Sequence, residues 1–187
     1  MKNILITAKD MVEFIHTGGD LTSEFKSNKR AMQGTEAHAF LQSKYGENDR
    51  KEVTVETLYD VDNYSFHVTG RMDGLLTESG KLVIEEIKST LTDLHLMKID
   101  TRPEHLSQAK MYAYMYCIQE SLRSISVRLT YISVHDNQTK SFTKRYNITQ
   151  LTRFFEDTVF SYVSWLKILN EHQLQKQKSI EGLPFPF

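Results

Sequence analysis

The residues of this chain best suited to do chemistry are Asp73, Glu86 and Lys88, within the stretch VTGRMDGLLTESGKLVIEEIKS at 68–89. Asp73 lies on one predicted strand; Glu78, Ser79 and Gly80 supply a turn signal; a second predicted strand ends in Glu86, Ile87 and Lys88. Side chains along a strand alternate faces, so Glu86 and Lys88 project from one side. Pairing around the Gly80 turn then lets Asp73 approach Glu86 across the sheet. Two carboxylates and an amine at one sheet edge suit metal-assisted phosphodiester cleavage, in which oxygen ligands hold a hard cation and the amine stands beside the attacking water. Glu-x-Lys on a strand is ordinarily a solvated face. Here Leu82, Val83 and Ile84 are apolar on both faces, which marks a central strand covered on two sides. The charges therefore appear where a buried face reaches its end, as at the rim of an active site.

This pattern resembles the nuclease core of the PD-(D/E)XK superfamily, in its RecB-like exonuclease branch. There Gly-x-x-Asp, a turn, an apolar run and Glu-x-Lys mark the metal site, and the matching residues are Gly70, Asp73, Glu86 and Lys88. Met72 stands where the superfamily's proline would precede Asp73, a proline this branch commonly lacks. Residues 30–38, with Gly34 and His38, resemble the branch's helical histidine motif, and Gln108 with Tyr112 resembles its Gln-x-x-x-Tyr motif. The three elements come in the expected order, so the resemblance spans roughly residues 30–135.

The resemblance implies an α/β (α+β) fold with a restriction-endonuclease-like αβββαβ core, a mixed central sheet flanked by helices. It implies Mg²⁺ or Mn²⁺ held by His38, Asp73, Glu86 and the backbone carbonyl of Ile87; a nitrogen ligand tilts the preference toward Mn²⁺. Lys88 would orient the attacking water or stabilise the transition state, and to act as a base its pKa would have to fall well below the ordinary value. Gln108 would reach the site or the DNA backbone, with Tyr112 supporting it or touching a nucleotide. The implied substrate is DNA with a free end or a single strand, in a setting such as DNA repair. A structure-specific or restriction-type endonuclease could use the same site. A catalytically silent binding module would need a lost carboxylate or lysine, and all three are present.

The elements that must position these residues can be read from periodicity. A short helix over 7–16 is capped by Thr7 and carries Met11, Phe14 and Ile15 on one face, with Gly18 and Gly19 ending it. A second helix over about 28–44 is expected to turn Met32, Ala39, Phe40 and Leu41 toward a core. Strands at 52–60, 64–77 and 81–88 form an antiparallel meander, followed by a polar connection over 89–102. Pro103 suits the first turn of a helix running to about Glu120, apolar on nearly every side between Ala109 and Ile118. Gln108 and Tyr112 lie one turn apart on it and share a face. Ser126–His135 alternates as a strand, another is expected near 139–147, and a helix over about 149–175 packs Leu151, Phe154, Phe155, Val159, Tyr162, Val163 and Leu166.

Composition bounds the rest. A chain of 187 residues, 40% hydrophobic and 25% charged, holds one good core, so a single domain is expected over 1–178 with a tail or linker at 179–187. No apolar run is long enough to span a membrane, and the one near the N-terminus is too short for a signal peptide, so a cytoplasmic location is expected. The single cysteine, Cys117, excludes an internal disulfide and a four-cysteine cluster. A net charge of −1 gives no general attraction to nucleic acid. The richest basic stretch, Lys140–Arg153, reads first as a solvated strand face, with contact to phosphates as the alternative. No Gly-x-Ser-x-Gly elbow supports a serine hydrolase and no Walker loop supports an ATPase. The tail, with Pro184, Phe185, Pro186 and Phe187, resembles the junction where a helicase domain follows the nuclease of DinG-type helicases, which would make such a domain a partner.

Overall fold

Six strands and four helices alternate in the computed structural model, which describes residues 1–17 and 28–181. The order is β1 (Lys2–Thr7), α1 (Ala8–Thr17), α2 (Asn28–Gln42), β2 (Arg50–Val61), β3 (Tyr64–Glu78), β4 (Lys81–Thr90), α3 (Pro103–Gln119), β5 (Ser124–Ser133), β6 (Thr139–Asn147) and α4 (Ile148–Glu181). A short 3₁₀ turn, Leu94–Leu96, interrupts the β4–α3 connection.

The β2–β3–β4 meander forms as periodicity predicts. Ser79 and Gly80 both take positive φ, 48° and 74°, which is the backbone a tight two-residue hairpin requires and explains the glycine. β4 then pairs in parallel with β5, and β5 antiparallel with β6, giving a six-stranded mixed sheet. Pro103 occupies the first turn of α3, where a missing N–H costs nothing. Thr7 caps α1, its hydroxyl oxygen accepting from the Asp10 N–H at 3.0 Å.

Helices cover the sheet unequally. The main core joins Met11 of α1, the apolar faces of Ala109–Cys117 in α3, and Leu151, Phe155, Val159 and Val163 of α4 to one sheet face. On the other face α2 forms a small satellite core, in which Ala37 and Leu41 meet Ile87 and Ile132. The sheet is thus mixed and flanked by helices, with the α–β–β–β–α–β order embedded in it.

Several expectations are corrected. Lys2–Thr7 is a strand, parallel to β3, that local periodicity did not announce. Its partner lies some sixty residues away in sequence (Lys2 opposite Tyr64), and only that pairing distinguishes it from a loose apolar run. On α2 the inward residues are Ala37 and Leu41, whereas Met32 is 65% exposed and Phe40 and Ala39 are exposed too. The helix rests on the sheet through a narrow stripe of small residues, which a count of large apolar side chains misreads. α4 continues to Glu181, past the expected helix end at about 175. Gly18, Gly19 and the prolines of the tail lie outside the described residues. Among the described residues no helix is long and apolar enough to cross a membrane.

Candidate active site

Asp73 sits where the sheet forks. β2 runs along one edge of β3 from Tyr64 to Leu75. Along the other edge, β1 pairs only as far as Thr69 and β4 only from Gly74 onward, opposite Glu85. Residues 70–73 therefore have no strand neighbour on that edge, and the next antiparallel pair would have been Asp73 with Glu86. Instead the strands part, and the Ile87 N–H donates to Asp73 Oδ2 at 2.7 Å, a side-chain bond replacing the missing ladder bond.

The side-chain alternation of β3 slips at the same point. Tyr64, Phe66, Val68 and Met72 enter the main core at even positions, but the next to do so is Leu75. Across the ladder Glu52 takes a left-handed φ of 56°, and its pairing with Asp73 is skipped, Lys51 meeting Gly74 and Val53 meeting Met72. A non-glycine residue holds that conformation only where its surroundings impose it. The slip leaves Asp73 between the two sheet faces, reachable by helices on both.

From one face comes α2. His38 Nδ1 stands 3.3 Å from Asp73 Oδ1. Burial pulls the imidazole down, but the Asp73 hydrogen bond and charge, with Glu86 behind them, outweigh it and hold His38 above its ordinary pKa. From the other face comes α3. Lys88 Nζ bonds Glu86 Oε1 at 2.7 Å and donates to Gln108 Oε1 at 2.9 Å, while Gln108 Nε2 donates to the Tyr112 hydroxyl at 2.7 Å. The Tyr112 ring lies over Gly70, where a Cβ would come within 2.9 Å of its Cδ1. That close approach is the physical reason for glycine at 70.

Glu86 is the most constrained member. It is 2% exposed, and its Oε2 has no hydrogen-bond partner among the described residues. Burial pushes its carboxyl up to about 7, the nearby Asp73 adding to this and Lys88 and His38 opposing it. For Lys88, burial alone would lower the ammonium, yet Glu86 and then Asp73 hold it above its ordinary value. Lys88 is therefore a cation here and not a free amine, so its charge is what it can offer.

The chemistry of the donor set fits a divalent cation. Two carboxylates and an imidazole converge at the fork, and a buried, unpartnered carboxylate oxygen is a position where a cation would relieve an otherwise costly burial. The set is incomplete by itself: among the described residues no group of three His, Cys, Asp or Glu side chains is placed to hold a metal ion. Water and backbone oxygen would complete the coordination, as Mg²⁺ ordinarily requires.

All seven expected site residues are thus neighbours, although Ile87 is seen engaged through its N–H. Sequence reasoning missed their supports. Gln42 Nε2 donates to the Asp73 carbonyl at 3.0 Å and to Glu52 Oε1 at 2.9 Å. Behind β4, the buried Glu85 accepts from the Tyr45 hydroxyl at 2.7 Å and from Thr130 Oγ1 at 2.6 Å. No spacing signal marks these contacts, because each crosses from one element to another, over 10 to 45 positions. In the basic stretch Lys140–Arg153, Lys144, Arg145 and Arg153 lie on exposed surface.

A family model described as the PD-(D/E)XK nuclease superfamily matches residues 10–180. No curated protein sequence matches the chain. Among solved structures it is similar to SSO0001, with a TM-score of 0.55 and 20% identity, covering 86% of this chain and 76% of that one. It is also matched to LHK-Exo, whose crystal structure is in complex with dAMP, with a TM-score of 0.46 and 18% identity over 94% of each chain. At 20% identity the likeness to SSO0001 bears on the fold alone.

Proposed function

The chain belongs to the PD-(D/E)XK nuclease superfamily, and on that premise we propose that it is a Mg²⁺- or Mn²⁺-dependent deoxyribonuclease of the RecB-like exonuclease type. The observation that carries the reading is the fork itself: Asp73, Glu86 and Lys88 in reach of one another, with one buried Glu86 oxygen unpartnered. His38, Gln108 and Tyr112, the residues of the branch's other two motifs, adjoin the same fork.

Hydrolysis of a phosphodiester adds water oxygen to phosphorus and breaks the bond to the leaving oxygen, which takes up a proton. A divalent cation supplies charge neutralisation and a water acidified toward neutral pH. Asp73, Glu86, His38 and the Ile87 carbonyl are the groups that would hold it. The Ile87 N–H fixes the Asp73 carboxylate, and the His38 ring braces its other oxygen. Lys88, kept protonated, places positive charge beside the phosphate oxygens as negative charge builds on them. Gln108 orients Lys88, and Tyr112 in turn orients Gln108, so α3 sets where that charge points.

The test is digestion of end-labelled linear DNA and of circular DNA, single- and double-stranded, with Mg²⁺, Mn²⁺ or EDTA. Metal-dependent loss of linear strands with circles intact is the expected result. Cleaved circles would assign an endonuclease, and no cleavage with any metal would overturn the nuclease reading for this chain.

A further inference from the structure

The fork opens on one side into a cleft of roughly 400 Å³, lined by Gly34, His38, Gln42, Glu52, Arg71 and Asp73 among others. Arg71 is two residues before Asp73 on β3, and among the described residues it is the guanidinium in that lining. Its side chain is 70% exposed, yet it is anchored: Nε bonds Glu52 Oε2 at 2.8 Å. Anchoring through Nε leaves the two terminal nitrogens without a protein partner among the described residues. A guanidinium held at one edge and open at the other presents two parallel donors, a geometry that matches two oxygens of a phosphate.

The anchor is itself held in place. Glu52 carries the left-handed backbone opposite Asp73, and its second oxygen accepts from Gln42 Nε2 at 2.9 Å. The same Gln42 nitrogen donates to the Asp73 carbonyl. One amide of α2 thus ties the arginine's counter-ion to the strand that bears the site carboxylate. An exposed ion pair adds little stability, so stability alone does not account for an anchored Arg71 beside the site. The whole chain has net charge −1, and the site adds its own carboxylates, so a phosphate entering this cleft needs a fixed local cation.

We propose that Arg71 grips a phosphate of the nucleic-acid backbone next to the one being hydrolysed, and that Glu52 is a positioning residue which aims it. This rests on the nuclease reading and names how that site holds its substrate. Contact is to phosphate oxygens, so the grip is independent of base sequence. It fixes the strand's register relative to Asp73 and Glu86.

The test uses the full chain and the linear DNA that the wild type degrades. Cleavage is followed under single-turnover conditions in Mn²⁺, and binding in Ca²⁺ over a range of salt concentrations. Arg71→Ala is expected to raise the DNA concentration for half-maximal rate about tenfold or more, with the saturated rate held within about threefold. The slope of log affinity against log salt should fall by about one, the signature of one lost phosphate contact. Arg71→Lys should keep the slope and recover part of the affinity, since charge remains and the fork is lost. Glu52→Ala should weaken binding while leaving the slope intact, and Glu52→Gln, which keeps one acceptor for Nε but turns an NH2 toward Gln42 Nε2, should recover only part of the wild-type binding. If the wild type cleaves but Arg71→Ala leaves half-saturation and slope unchanged, the grip is wrong. A variant that loses the saturated rate with unchanged binding contradicts it equally. A wild type that neither binds nor cleaves DNA removes the nuclease reading, and this inference falls with it.

Discussion

At Glu86 one carboxylate oxygen meets Lys88 and the other meets no partner among the described residues, so removing Lys88 and neutralising Glu86 have different consequences. Lys88→Met leaves a buried charge uncompensated, and we expect it to destabilise the metal-free protein by about 3 kcal/mol. Mn²⁺ should restore part of that loss in a thermal melt, and a variant whose melting point is unmoved by either change would contradict the pairing. The pH dependence follows from the same atoms. Glu86 has a raised folded pKa, chiefly from burial, so ionising it above about 7 destabilises the metal-free fold, and the penalty is relieved as pH falls toward the unfolded value. His38 is also raised in the fold, so its stabilising proton is fully present below the ordinary value and lost as pH rises through the folded one. Both signs agree. Metal-free protein should be more stable to urea at about pH 5.5 than at about pH 8, and saturating Mn²⁺ should flatten or invert that trend. An opposite slope in metal-free protein would mean that Glu86 and His38 are not coupled as described.

Two glycines set how closely α3 and the loop after α2 approach the forked strands. Gly70 admits the Tyr112 ring of α3, and Gly74 admits the Tyr45 phenol that bonds Glu85 beside Glu86. Gly70→Ala forces a Cβ into that ring and is expected to cost about 1–3 kcal/mol in denaturant unfolding. Activity should fall further than stability, because displacing Tyr112 releases Gln108 and then Lys88; an active, fully stable variant would refute this chain of contacts. Tyr45→Phe leaves Glu85 with one partner fewer in a buried place, with an expected loss of about 1–3 kcal/mol. Periodicity made the β2–β3–β4 hairpins, α3 and α4 legible, because each is regular and apolar over its own length. The slip at Asp73 was not, since it depends on where β1 stops and β4 begins along the other edge of β3. The inward face of α2 was misread for a related reason: Ala37 and Leu41 are inside only because the sheet lies under them, while Met32 reaches solvent.

Among the described residues, three helices bury one sheet face and α2 covers part of the other, so the fork is reached from both sides without a break in the main core. Asp73, Glu86, Lys88, His38, Gln108 and Tyr112 were legible as candidates from motif spacing, whereas Gln42, Glu52 and Tyr45 belong to no local pattern and emerge only when distant elements meet. With a net charge of −1, the protein offers DNA little attraction until a cation occupies the fork. Ca²⁺ should therefore tighten DNA binding relative to EDTA in the wild type and in Lys88→Ala alike, and equal affinities would move the contacts elsewhere. The account's central claim is that cleavage is metal-dependent and runs through Glu86. Release of nucleotides from linear DNA by wild type and Glu86→Gln, each in Mn²⁺ and in EDTA, tests it most directly. The account predicts release by the wild type in Mn²⁺ alone, with the variant folded and inactive; cleavage by the wild type in EDTA, or by folded Glu86→Gln at the wild-type rate, would contradict it.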